Sequence, residues 1–141
     1  MNPLAASLLI SAMGFAAPTF AATADAERDY GSPLTETYSQ VELLKNWALA
    51  SCLGEISADK HFQHETSLAQ SGYLEYGKQD LESYDALHKE VKRALSIKAS
   101  GSVEGDFTVM QCIDFFHSKP LDRLARKLVG ADNKAIKKKV K

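Results

Sequence analysis

Two short stretches decide the fold of this chain: VELLKNWALASC at residues 41–52 and MQCIDFF at residues 110–116. In both, apolar residues recur at steps of three and four, which is the spacing of one face of an α-helix. The spacing therefore predicts a helix in each stretch. The only two cysteines of the chain, Cys52 and Cys112, fall on the apolar sides of these two helices.

The first 24 residues carry no charged side chain. Leu4–Phe15 is apolar, Pro18 then interrupts any helix, and Ala22-Thr23-Ala24 has the small-x-small pattern of a signal-peptide cleavage site. We expect residues 1–24 to be a cleaved signal peptide, which places the mature protein in the periplasm without stable membrane insertion. A membrane anchor or a buried helix is the alternative, although the apolar run is short for a span of about 20 residues. A basic segment before the run is missing.

The even cysteine count favours a disulfide in an exported chain. A Cys52–Cys112 bridge would close a loop of about 60 residues, and the chain-entropy estimate gives it roughly 4 kcal/mol before any strain is subtracted. The alternative is two free, buried thiols. A small domain has a limited core, so a bridge of this strength would decide whether it folds.

Helical spacing continues through the mature chain, and no alternating pattern indicates a strand. We expect an all-α fold, a compact bundle of about five helices with one intrachain disulfide. Its parts would be a flexible leader at 25–34, a helical domain at 35–130 and a basic, disordered tail at 131–141. The expected helices run from near Thr35 to near Gly54, from Ser57 or Asp59 to Gly77, from Asp80 to Leu95, from about Phe107 to His117, and from Pro120 to Gly130.

The formal net charge of the chain is -1, which gives no strong field for nucleic acid. The tail 131–141 nevertheless holds five lysines and one aspartate. Contact with anionic lipid or nucleic acid is one interpretation of this tail, and a solvated, solubilising end is the other. An exported protein meets little nucleic acid, so we expect no nucleic-acid partner.

No set of residues in the sequence indicates catalysis. His61 and His64 lie one turn apart, but they lack the spacing of a zinc-binding H-E-x-x-H motif and an evident third ligand. Cys112 and His117 could be a nucleophile and a base only if the thiol stayed free. We therefore expect no catalytic residue, no metal site and no cofactor, and a protein that acts by binding.

Three segments resemble one known family: LKNWALASC at 44–52, YLEYG at 73–77 and MQCIDFFHSKPLD at 110–122. They are similar to the fourth class of type VI secretion amidase immunity proteins, and the likeness runs from about Tyr38 to Leu128. The resemblance implies a periplasmic helical protein, usually a homodimer. It also implies a partner, a peptidoglycan amidase of the cysteine hydrolase type, whose active-site cleft the immunity protein blocks to protect the cell from its own kind.

A narrow cleft admits a loop more easily than a helix, which is about 10 Å wide with its side chains. The one long glycine-containing loop between predicted helices is 100–106, and family members are thought to use a loop beside the third helix. The alternatives are that this segment is only a connection, or that the exposed face of helix three binds the amidase. The expected inhibitor loop consists of Ser100, Gly101, Ser102, Val103, Glu104, Gly105 and Asp106.

A small periplasmic helical chaperone of acid stress is the rival interpretation from another functional class. Composition does not separate the two. Such a chaperone would unfold or dissociate near pH 3 and hold many clients, whereas an immunity protein would bind one amidase at fixed stoichiometry at neutral pH. An enzyme is the third possibility, and it lacks a recognisable site.

The mature protein should begin between Ala22 and Asp25, because the apolar run and the small residues after Pro18 form a signal-peptide pattern. Intact-mass spectrometry of a periplasmic extract measures this directly. Full-length protein recovered in the membrane fraction would contradict it.

Overall fold

The computed structural model describes residues 34–98 and 101–139, and for 131–139 it describes the backbone only. The expected signal peptide, nearly all of the leader and Ser100 lie outside the described residues. Over the described residues the chain is helical, without a strand, which confirms the all-α expectation. After one 3-10 turn, Leu34–Thr37, the helices are α1 (Gln40–Ile56), α2 (Lys60–Tyr76), α3 (Leu81–Leu95), α4 (Thr108–Phe116) and α5 (Lys119–Lys139).

Helix α1 is the centre of the bundle and contacts all four other helices. An amphipathic helix buries one stripe, but α1 buries residues on several sides because it has neighbours around it. The sequence predicted one buried face for this helix, so some of its buried residues were not predicted. The buried residues of α1 are Leu43, Leu44, Ala48, Ala50, Ser51 and Cys52.

Helices α1, α2 and α3 each begin directly after a residue whose side chain caps the helix. Ser39 and Glu42 form a capping box at the start of α1, and the hydrogen bonds from Ser39 lower the pKa of the Glu42 carboxyl. The helix therefore begins after Ser39, and the expected start near Thr35 was too early. Asp59 and Asp80 cap α2 and α3 by accepting hydrogen bonds from the backbone N–H groups of Phe62 and Ser83, in the first turn of each helix.

The core forms where α3, α4 and α5 pack on α1. Leu87 and Val91 of α3 are fully buried, as are Leu121 and Ala125 of α5. The predicted apolar stripes of both helices are therefore confirmed. Helix α2 contributes little to this core, since Thr66 is its one buried residue and its larger apolar side chains remain exposed.

The predicted disulfide is present. Cys52 Sγ and Cys112 Sγ are 2.08 Å apart, and the two Cα atoms are 5.7 Å apart. Both cysteines are completely buried. The bond joins α1 to α4, which is a short helix whose only other buried residue is Phe115. A helix of this length is marginal by itself, so the disulfide is a principal reason that α4 stays docked.

Two glycines behave differently from the sequence expectation. Gly130 was expected to end the last helix, but α5 continues through it to Lys139. A single glycine costs a helix only about 1 kcal/mol, and no proline follows it. Gly77 does follow α2, but its backbone is extended and not left-handed. A Cβ there would lie 2.0 Å from the Tyr84 hydroxyl, so close packing explains this glycine.

Replacing both cysteines, Cys52→Ala with Cys112→Ala, should lower the free energy of unfolding by about 2–5 kcal/mol, as is typical for loss of a native disulfide in a small exported domain. Urea unfolding of the variant and the unreduced wild type measures the difference. Thiol labelling of denatured, unreduced wild type should find no free thiol. Two labelled thiols, or a loss below about 0.5 kcal/mol, would count against the role we give the bridge.

Candidate interaction surface

The segment expected to be the inhibitor loop connects the end of α3 to the start of α4. All six of its described residues, 101–106, are exposed to solvent. Val103 is 71% exposed. Ser102, Glu104 and Asp106 add hydroxyl and carboxylate oxygens to the same segment. The loop thus presents one apolar side chain among several hydrogen-bond acceptors.

Phe107 closes this loop at its α4 end. Its backbone is in the left-handed region, at φ 50° and ψ 24°, which is a strained conformation for a bulky residue. The Phe107 ring lies against Gly101, because a Cβ on Gly101 would be 2.6 Å from the Cζ atom of that ring. The two ends of the loop are therefore in contact, and the residues between them form a short projection.

Gln111 of α4 fixes the α3 end of the loop. Its Nε2 donates a hydrogen bond of 2.6 Å to the Ala94 carbonyl and a second hydrogen bond to the Ile97 carbonyl. The Ala94 carbonyl lies in the last turn of α3, where it also accepts the Ile97 N–H at 3.2 Å, and the Ile97 carbonyl lies just beyond the helix. The side chain of one helix therefore caps the other, and the loop projects from a base that is held at both ends.

An apolar surface lies on one side of this base. Val109, Met110 and Ile113 point outward from α4 and are about half exposed. Val109 and Phe62 line a hollow of about 450 Å³ between α4 and the α1–α2 connection. A contiguous exposed apolar surface of this kind commonly marks a site of protein–protein contact.

A groove of about 280 Å³ lies on the other side, between α3 and α4. Arg93 Nε donates to the Glu90 carboxylate at 2.9 Å, and these hydrogen bonds hold the pKa of Glu90 below its usual value. Lys98 and Asp114 also line this groove. The exposed lining of this groove is mainly apolar, with charged groups of both signs among its residues, a combination that suits selective recognition of one partner.

The other candidate residues do not converge on a site. His61 and His64 are both exposed on α2, and the described residues contain no group of three ligand side chains that could hold a metal ion. Cys112 is bonded to Cys52, so it has no thiol to act as a nucleophile, and His117 makes an edge contact with the Phe116 ring. Within the described residues, no helix is long and apolar enough to span a membrane.

Comparison with known protein families gives one match. The model of the type VI secretion system amidase immunity protein family, Tai4, matches residues 42–125. This chain belongs to that family. The match covers α1 to α4 and the first part of α5, including both cysteines and the loop. Membership in this family favours an immunity protein over an acid-stress chaperone. No curated protein matches the chain.

Solved structures show the same relationship. A chain of the effector–immunity system Tae4/Tai4 from Salmonella typhimurium is 42% identical, with a TM-score of 0.63 over 67% of this chain and 94% of that one. A chain of the Tae4–Tai4 complex from Enterobacter cloacae is 21% identical, with a TM-score of 0.61 over 67% and 96%. A chain from a Serratia marcescens structure of type VI-secreted toxins and self-resistance proteins is 22% identical, with a TM-score of 0.63 over 69% and 82%. The last two show a shared fold.

The loop at 100–106 was predicted from the sequence as a candidate site, whereas Phe107 and Gln111, which contact its two ends, were not. Neither has a sequence signal of its own. A phenylalanine at a helix start resembles any core residue, and a glutamine on α4 resembles any solvated side chain. Their roles arise from contacts with Gly101 and with the carbonyls of α3, and sequence periodicity does not indicate such contacts.

Gln111→Glu should lower the free energy of unfolding by about 1–3 kcal/mol, because a carboxylate would replace the donor of both hydrogen bonds and face two carbonyl oxygens. Gln111→Ala should cost about 1 kcal/mol. Met110→Gln, on the exposed neighbouring position, is the control and should stay within about 0.5 kcal/mol of wild type. Urea unfolding at neutral pH measures all three. A Gln111→Glu variant as stable as wild type would refute the anchoring role.

Proposed function

We propose that this chain is a periplasmic immunity protein that binds a cognate type VI secreted peptidoglycan amidase and occludes its active site with the loop at residues 100–106. Family membership supports the class of function, and the 42% identical Salmonella typhimurium relative comes from a structure of an effector–immunity system. The observation that carries the choice of site is the exposed loop 101–106 on its fixed base.

A plug for an enzyme cleft has to enter it without a large ordering cost. The contact of Phe107 with Gly101 and the hydrogen bonds from Gln111 already restrict this loop in the free protein. Restriction before binding reduces the conformational entropy that is lost in the complex, so more of the contact energy appears as affinity. The strained backbone of Phe107 fits this interpretation, because such strain is retained where a particular loop geometry is needed.

The chemistry of the loop suits an amidase cleft. Such a cleft binds peptide groups, so it offers hydrogen-bond donors to carbonyl oxygens of its substrate. The carboxylates of Glu104 and Asp106 and the hydroxyl of Ser102 can accept from those donors, and Val103 can fill an apolar subsite. On this proposal the chain acts by occupying the cleft and catalyses no reaction itself.

The proposal also includes export to the periplasm and assembly as a homodimer. The uncharged N-terminal segment supports secretion to the periplasm, where a cell-wall amidase acts, and an intrachain disulfide suits that oxidising compartment. The resemblance to the family supports a homodimer. The apolar outer face of α4, with Val109, Met110 and Ile113, is a surface that a second copy could cover.

A triple variant of the loop, Val103→Asp with Glu104→Lys and Asp106→Lys, should raise the concentration needed for half-maximal inhibition of the purified amidase at least tenfold. The substitutions reverse the two charges and place a carboxylate at the apolar tip. They lie on exposed residues, so the fold should change by less than about 0.5 kcal/mol for each. Hydrolysis of purified peptidoglycan by the amidase, titrated with each immunity variant, gives the measurement, and thermal unfolding checks the fold.

The matched control is a double charge reversal on exposed helical positions away from the loop, Glu75→Lys with Asp85→Lys. It should inhibit like wild type. Full inhibition by a folded triple variant would remove the loop from the interface. Loss of inhibition in the control alone would move the interface to the exposed faces of α2 and α3, which carry Glu75 and Asp85.

A further inference from the structure

A polar cavity of about 310 Å³ opens to solvent between α1, α2 and α3. This volume is at the lower end of the range of small-molecule sites, about 300–1,000 Å³. Seven of its eight lining residues have polar side chains, and Gly54 is the exception. Two of them, Ser51 and Thr66, are more than nine-tenths buried. Neither the disulfide nor the loop uses this cavity.

The hydroxyl groups on the α2 side of the cavity already donate their hydrogens in hydrogen bonds within α2. Thr66 Oγ1 donates to the Gln63 carbonyl at 2.9 Å, and Ser67 Oγ donates to the same carbonyl at 2.8 Å. A hydroxyl has one hydrogen, so each can offer the cavity only the lone pairs of its oxygen. One of the two hydrogens of the Gln63 side-chain amide is likewise used, since Nε2 donates to the Ser57 carbonyl at 2.6 Å.

On the α1 and α3 sides of the cavity, the Ser51 hydroxyl also has a hydrogen-bond partner. Ser51 Oγ lies 3.3 Å from His88 Nδ1, and His88 Nε2 lies 3.6 Å from Glu55 Oε1. The carboxylate beside Nε2 favours the tautomer with its hydrogen on that nitrogen, so Nδ1 accepts the Ser51 hydrogen. Glu55 is about 40% exposed at the cavity, and in the described part of the chain His88 is its only ion-pair contact.

The cavity thus offers several acceptor oxygens and one carboxylate, and the side-chain donors left in it are amide N–H groups of Gln63 and Gln70. Within the residues described, no positively charged Lys or Arg side chain lines it. A carboxylate or carbonyl ligand would face oxygen lone pairs and be repelled. An alkylammonium group has three N–H donors and a positive charge, and so matches both the hydroxyl oxygens and Glu55. A hard metal ion would need more oxygen ligands from charged residues than this cavity supplies.

We propose that this cavity binds an alkylammonium group, with Glu55 as its counter-ion and Ser51, Thr66 and Ser67 as hydrogen-bond acceptors. The group could be the lysine side chain of a protein partner or a free small amine, and the chemistry of recognition is the same for both. The site does not depend on the proposed inhibition of an amidase.

The test uses amide chemical shifts of the purified, disulfide-bonded protein during titration with n-butylammonium chloride, at constant ionic strength set with sodium chloride. Saturable shifts should centre on Gly54, Thr66 and Gln70. n-Butanol, which has the same apolar chain without the charge, should give no saturable shift there. Glu55→Gln should weaken butylammonium binding at least tenfold. Glu65→Gln removes an exposed carboxylate on α2 that lies outside this cavity, and it should bind like wild type.

No saturable shift, equal shifts with butanol, or equal weakening by Glu55→Gln and Glu65→Gln would each overturn the proposal. Once binding is established, complex formation with the amidase separates the two sources. A loss of at least fivefold in Glu55→Gln, reproduced in wild type by added butylammonium, identifies a partner lysine. Unchanged complex formation identifies a free amine. If no amidase binds at all, the proposed function fails while the butylammonium result still stands.

Discussion

The covalent bond between Cys52 and Cys112 is the constraint on which α4, and with it the proposed binding loop, depends. Helix α4 buries only Cys112 and Phe115, and no side chain caps its first turn. Such a helix would be marginal if packing alone held it. The bond ties it to α1, the one helix that contacts all the others. Because α4 in turn supplies Gln111 and follows Phe107, the geometry of the loop rests on this single cross-link.

Several weak contacts fix the two ends of the loop, and one of the residues there has an unfavourable backbone conformation. The ring of Phe107 against Gly101 and the hydrogen bonds from Gln111 hold its two ends, while its tip stays fully in solvent. The left-handed backbone of Phe107 works against folding and is tolerated because the surrounding contacts outweigh it. This arrangement suits the proposed inhibitor. The two ends of the loop are anchored, and the residues at its tip are exposed and can contact a partner.

The exposed surfaces of the bundle are chemically distinct from one another. The hollow beside Val109 and the groove between α3 and α4 both have mainly apolar linings, whereas the cavity between α1, α2 and α3 has a mainly polar one. The polar cavity exists because α2 buries little apolar area. Its hydroxyl side chains face α1 and α3 and satisfy their hydrogens on a carbonyl of their own helix. A core filled with aliphatic side chains at these positions would have closed the space.

The sequence by itself determined the helices, the family and the pairing of the cysteines. Helical periodicity and capping residues are local signals, so the start at Asp80 and most apolar positions of α3 and α5 could be predicted, while the start of α2 stayed open between Ser57 and Asp59. Two cysteines allow only one intrachain pair. Tertiary structure decided which sides of α1 have neighbours, placed the Tyr84 hydroxyl beside Gly77, and brought Phe107 to Gly101 and Gln111 to the carbonyls of Ala94 and Ile97. The physical reason is that packing and hydrogen bonding act between neighbours in space, and sequence periodicity does not specify those neighbours.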